Sequence, residues 1–125
     1  MRTLCGSVVI ETDEGNIYFA GDTGYSPHFR EQGERFGPFA LSIIPIGAYE
    51  PRWFMQSIHL DPKEAVIAHQ DLRRQQSLGI HFGVLQLTWE PVDQPLSDLT
   101  EALSGAQIDS ERFWTLEPGE FRTLP

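Results

Sequence analysis

Asp22 stands between two glycines directly after an apolar run, in "IYFAGDTGYSP", and the placement admits more than one chemistry. An aspartate there can simply shape a turn, because its side chain bonds its own backbone and tolerates tight geometry. It can also present a carboxylate ligand from a strand end. His81, in "SLGIHFG", lies between Ile80 and Phe82. It reads either as a core histidine bonded to backbone or as a metal ligand fixed by its strand. His59, at the end of "AYEPRWFMQSIHL" and just before a helix cap, is placed to orient a substrate or to act as acid or base. His69 falls on an apolar helical face and is expected to pack behind such a site, whereas His28 is expected to be exposed. Glu50 and Arg52 flank Pro51 and pair with each other or with backbone, and Cys5 reads as a small buried hydrophobe.

These residues must be held by elements that the pattern makes legible. "SVVIE" and "NIYFAG" are strand-like runs joined by "TDEGN", a hairpin turn. Ser26 and Pro27 read as N-cap and first helical position of "SPHFREQGERFG", which Gly37 and Pro38 stop. "LSIIPIG" is apolar at consecutive positions, as in a central strand covered on both faces. "AYEPRWFMQSIHL" is too irregular for a helix and too apolar for disorder, which marks it as a functional connection. Asp61 caps, and Pro62 begins, the helix "DPKEAVIAHQDLRRQQ", with Ala65, Ala68, His69 and Leu72 on one face. "SLGIHFG" is a further strand, "PLSDLTEALSGA" an amphipathic helix, and "RFWTLEPGE" a short strand with a turn. The order predicts an α/β fold, a mixed sheet with about three helices, and Asp22 and His81 at one sheet edge. An apolar strand followed by Asp-Thr-Gly also suits an aspartic protease-like homodimer with one acid per subunit. That reading needs a chain almost entirely β, and three helices count against it.

The composition narrows the classes of function. The 125 residues make one domain. A formal charge of −9 with a single lysine argues against a nucleic-acid partner, and the eight arginines are scattered, as at Arg30, Arg35, Arg73 and Arg74. The lone cysteine cannot close an internal disulfide, which points to the reducing cytoplasm. No apolar stretch reaches the roughly 18 residues of a membrane span. Metal motifs such as His-x-His, His-Glu-x-x-His and Cys-x-x-Cys are absent from the sequence, as are Gly-x-Ser-x-Gly and a phosphate loop.

The combination of "IYFAGDTGYSPHFREQGERFGPFALSIIPIGAYEPRWFM", "HLDPKEAVIAH" and "SLGIHFG" resembles the C-terminal half of a metallo-β-lactamase-fold hydrolase. The branch it is most similar to contains N-acylphosphatidylethanolamine-hydrolysing phospholipase D and its bacterial relatives, over nearly the whole chain. The resemblance implies an αββα sandwich with two metal ions, usually zinc, at its edge. It implies that Asp22 bridges both ions, that His81 completes the second, and that His59 has a substrate or proton-transfer role. The reaction implied is metal-assisted hydrolysis of a phosphodiester, a phospholipid or a lactone.

The same resemblance carries a departure. Its His-x-His-x-Asp-His motif and a third metal-binding histidine have no counterpart in the sequence, so the isolated chain is expected to be inactive or nearly so. As half of a sandwich, a truncated chain would leave one apolar sheet face uncovered, more than the few hundred Å² that a soluble monomer normally exposes. The expected cover is a second copy, in a homodimer sheet against sheet, or an N-terminal half on a separate chain. A non-catalytic, self-associating domain is the alternative.

Overall fold

The computed structural model describes residues 6–73 and 76–125. The expectations for Cys5, for Arg74 and for the last helical turn at residues 74 and 75 lie outside them. Strand β1 is Val8–Ile10 and β2 is Asn16–Phe19; helix α1 follows at His28–Phe36, then β3 at Phe39–Pro45. A short helix α2, Arg52–Met55, precedes α3, Pro62–Asp71, and β4, Ser77–Ile80. Helix α4, Gln94–Gly105, a 3-10 turn at Ser110–Arg112 and β5, Phe113–Thr115, complete the order.

The strands form a single five-stranded sheet in the order β1-β2-β3-β4-β5. β1 pairs antiparallel with β2, as the hairpin predicts, and the remaining neighbours are parallel. The α/β expectation therefore holds, with a mixed sheet. Three crossovers, through α1, α3 and α4, each step one strand in the same direction. Because such crossovers are right-handed almost without exception, all three helices must fall on one face. Burial agrees. Tyr18, Ser42, Ile44, Ser77 and Phe113 on the helix side are inaccessible or nearly so. Tyr18, Ile44 and Phe113 join Phe29, Phe39, Ala65, Ala68, Leu72, Leu99 and Leu103 in one core.

None of these three crossover helices covers the other face. Val8 pairs with Phe19, Phe19 with Ile43, Ile43 with Leu78 and Leu78 with Trp114, so one apolar row crosses all five strands. Val8 and Phe19 are exposed and the other three half-buried. The expectation that "LSIIPIG" is covered on both faces is thus met only on the helix side.

Local details refine other readings. Asp61 caps α3 as expected, and Glu64 makes it a reciprocal capping box: the Asp61 carboxylate accepts from the Glu64 N–H at 2.7 Å, while Glu64 accepts from the Asp61 N–H at 3.2 Å. Ser26 is not the N-cap of α1. Pro27 occupies that position without a side-chain cap, and Ser26 Oγ meets His28 twice, at Nδ1 (2.5 Å) and, as acceptor, at its main-chain N–H (3.4 Å). His28 is half-buried against Phe29 rather than exposed. The aromatic connection after β3 contains the turn of helix α2, because Arg52 at its start is held by side-chain bonds that no periodic pattern encodes.

Candidate metal centre

Three sequence-distant residues converge at the ends of the parallel strands. One ligand atom each from Asp22, His59 and His81 lie within 4.8 Å of one another. His81 Nε2 is 3.7 Å from Asp22 Oδ1, and the two imidazoles stand edge to face with centroids 5.0 Å apart. Asp22 follows β2, and its side chain is 63% exposed; His81 follows β4, and its side chain is 26% exposed. The expected shared edge is therefore present, and His59 has joined it.

Two glycines permit this convergence. A Cβ on Gly24 would lie 2.4 Å from the Gln56 carbonyl oxygen, so the aspartate turn rests directly on the backbone just ahead of His59. A Cβ on Gly47 would lie 2.1 Å from the His81 carbonyl oxygen. Real side chains cannot approach backbone that closely. Next to these contacts, Ala48 and His81 both adopt left-handed backbone, with φ of 62° and 64°. Non-glycine residues hold that conformation only where surrounding contacts impose it, and such positions cluster at functional sites.

Both imidazoles are oriented by main-chain carbonyls. His59 Nδ1 lies 2.6 Å from the Ala48 oxygen and His81 Nδ1 lies 3.3 Å from the Gly47 oxygen. A carbonyl can only accept, so each Nδ1 carries the proton and each Nε2 keeps its lone pair. This is the arrangement in which histidine binds metal, with the second nitrogen bonded to fix ring and tautomer. One carboxylate and two such imidazoles match a metal site in donor type and in mutual reach.

The segment beyond Ala48 is tied down by groups that sequence reasoning left aside. Glu90 is only 8% exposed, and its carboxylate accepts the N–H groups of Tyr49 and Glu50, each at 3.0 Å, and the Thr88 hydroxyl at 2.7 Å. Burial, the largest single influence, pushes its carboxyl up, but the hydrogen bonds from Thr88 and the main chain together outweigh it and hold the group below the ordinary glutamate value. Tyr49 donates its hydroxyl to Asp98; burial first, and then this bond, raise its phenol far above the usual range. Arg52 donates to the carbonyls of Tyr49 and His59, at 3.1 and 3.2 Å, and pairs with Glu64 at 2.7 Å and Asp61 at 3.5 Å. It thereby knots the residues on either side of α2 to the start of α3. Its pairing is with backbone and with these two acids; Glu50 receives only its main-chain N–H. A lone Glu before Pro91 carries no local signal. The Asp-x-x-Glu spacing at Asp61 and Glu64 does, as a capping box.

His69 is not one of the three grouped residues. His69 is buried, with Nδ1 2.6 Å from Ser77 Oγ and its ring against Phe113, so it is a core residue between α3 and the sheet. A cleft of about 640 Å³ also lies away from the cluster, between α3 and α4, and its lining includes the acidic residues Asp61, Asp98 and Glu101. An apolar cleft of about 440 Å³ does include His81, with Leu78, Ile80, Val84, Leu96 and Leu116 on its walls. Four α-helices and an Asp22 that faces imidazoles leave nothing of the all-β, acid-paired arrangement an aspartic protease requires. No helix among the described residues is long and apolar enough to cross a membrane.

Comparison with known proteins gives matches to a family model, to curated proteins and to solved structures. The sequence profile of the β-lactamase superfamily domain matches residues 1–82. The N-acyl-phosphatidylethanolamine-hydrolyzing phospholipase D 1 of Caenorhabditis elegans is 44% identical over 107 residues, which are 83% of this chain and 30% of that protein. A metal-dependent hydrolase of Methanopyrus kandleri is 30% identical over 112 residues, 90% of this chain and 43% of that one. Among solved structures, an isothiocyanate hydrolase from Delia radicum gut bacteria superposes with a TM-score of 0.70 at 18% identity, over 94% of this chain and 44% of the other. The likeness to that structure is one of fold. This chain spans less than half the length of each of these proteins.

Proposed function

Because the chain belongs to the β-lactamase superfamily and has the metallo-β-lactamase fold of its metal-dependent hydrolases, we propose that it carries part of a binuclear zinc centre of a phosphodiesterase or phospholipase D-like enzyme. The observation that supports the reading most directly is the meeting of Asp22, His59 and His81 across three separate connections of the fold. Metal bound there supplies Lewis acidity for the bond being hydrolysed and acidifies water. Asp22 would be the carboxylate ligand and His81 an imidazole ligand through Nε2, and His59 would orient the substrate or transfer a proton. The apolar cleft beside His81 suits a substrate with a hydrocarbon portion, such as a phospholipid.

One carboxylate and two imidazoles are too few ligands for two catalytic ions, which normally have three protein ligands each. Further ligands must come from outside this set, and the chain alone is expected to bind zinc weakly and to be inactive or nearly so. Elemental analysis of the purified chain after zinc loading, with an assay on bis(p-nitrophenyl) phosphate, tests this. The expected result is substoichiometric metal and no turnover; two tightly held zincs with turnover would overturn the claim of inactivity, and no zinc affinity at all would overturn the metal centre.

The bare sheet face favours a second element of the proposal. The row Val8, Phe19, Ile43, Leu78 and Trp114 is made of apolar side chains, with the Arg122 guanidinium over the Trp114 ring at its end, and at roughly 25 cal/mol per Å² the exposure of its open part is costly. A second copy packed sheet against sheet is the occupant we propose. Light scattering across micromolar concentrations is expected to show a dimer. A well-folded monomer over that range would sink it and would favour a separate polypeptide as the cover; a dimer with no zinc affinity would instead support the non-catalytic, self-associating domain.

A further inference from the structure

We propose that Glu90 is a positioning residue for His59, acting through the one peptide group that joins Ala48 to Tyr49. That peptide is bonded on both sides. Its carbonyl, on Ala48, accepts from His59 Nδ1 at 2.6 Å, and its N–H, on Tyr49, donates to Glu90 Oε1 at 3.0 Å. A carboxylate on the N–H polarises the amide and makes the carbonyl a stronger acceptor, so the two bonds reinforce each other. The neighbouring N–H of Glu50, on Glu90 Oε2 at 3.0 Å, and the Thr88 hydroxyl, on the same oxygen at 2.7 Å, keep the carboxylate from rotating.

The geometry needs such a hold. Ala48 sits at φ 62°, where an alanine is strained, and rotation of its peptide would turn the carbonyl away from His59. Only a buried acceptor facing the N–H side pins the plane, and Glu90, at 8% exposed, is that acceptor. His59 Nδ1 then has a lone-pair oxygen as its partner and must carry the proton, leaving Nε2 as the atom that works at the cluster. His81 provides an internal comparison, because its Nδ1 partner is the Gly47 oxygen, which belongs to a different peptide. The inference rests on the reading of His59 as a working residue of the site.

The test is long-range nitrogen–proton NMR on the full, metal-free chain at a pH where both imidazoles are neutral. In the unsubstituted protein His59 is expected as the Nδ1–H tautomer. Glu90→Gln keeps the size of the side chain but aims an amide NH₂ at one of the two N–H donors. It is expected to move the His59 tautomer ratio by about fivefold towards Nε2–H, the scale of one net hydrogen bond, with His81 unchanged. A His59 that is Nε2–H in the unsubstituted chain, or that is unmoved in a folded Glu90→Gln variant, overturns the proposal. So does an equal shift at His81, since that would be general loosening of the edge. If circular dichroism shows Glu90→Gln unfolded, Thr88→Val decides in its place: a shift confined to His59 supports the proposal and none overturns it. Because these spectra need no metal, a chain that binds no zinc refutes the metal centre separately, without touching the tautomer result.

Discussion

Replacing Asp22 by alanine is expected to lower zinc affinity by more than about 100-fold, since removal of groups that merely orient a ligand already costs about 10–100-fold. Competition against a chromophoric chelator measures it. Two features of the site make the result informative. Asp22 is 63% exposed at its side chain and supports no packing, so thermal unfolding of the variant is expected to change by no more than about 0.5 kcal/mol. His59, in contrast, serves substrate or proton transfer in the reading given above, so His59→Ala should weaken zinc binding much less than Asp22→Ala or His81→Ala. Unchanged zinc affinity in Asp22→Ala would reduce the aspartate to a turn residue. Equal losses for all three variants would make His59 a ligand.

The largest structural effect is expected at Gly47. Its missing Cβ is the space in which the His81 carbonyl sits, 2.1 Å from where that carbon would be, with the His81 carbonyl carbon at 3.1 Å and Phe82 Cα at 3.2 Å. All three are backbone atoms, so no side chain can swing away. The ends of β3 and β4, joined there by the Ile46 N–H on the Ile80 oxygen at 3.0 Å, would have to separate. Overpacking against backbone puts the cost of Gly47→Ala at about 3 kcal/mol, or about 10 °C in Tm for a chain of this size. Displacing His81 should remove zinc binding as well. Gly105→Ala is the control: a Cβ there meets nothing within 4 Å at the end of α4, and helix propensity predicts a neutral or slightly stabilising change. If both variants unfold at the wild-type temperature, the close approach at Gly47 is not a constraint.

How far the site was legible depends on the distance over which each signal acts. The strand–helix alternation, the Asp61 cap and the core face of α3 could be read because each is set by residues no more than four positions apart. Asp22 and His81 were also legible, as polar residues ending apolar strands. The cap of α1 is displaced by one residue, to Pro27, while Ser26 Oγ still accepts the His28 N–H at 3.4 Å and also meets the His28 ring. Helix α2 escaped notice because Arg52 is stabilised by Asp61 and Glu64, nine and twelve residues on.

The sequence by itself determined the α/β class, the alternation of strands and helices along the chain, the family resemblance, and a carboxylate and an imidazole as candidates for metal. Only the tertiary structure decided that His59 joins them, that His69 does not, and that Glu90, some forty residues from Tyr49, faces the peptide on which His59 leans. The reason is physical. Periodicity records which way a side chain points from its own element. Whether two donors share one ion depends on strand register, on where backbone passes within van der Waals distance of backbone, and on which carbonyl fixes each ring. Those are properties of the assembled sheet edge.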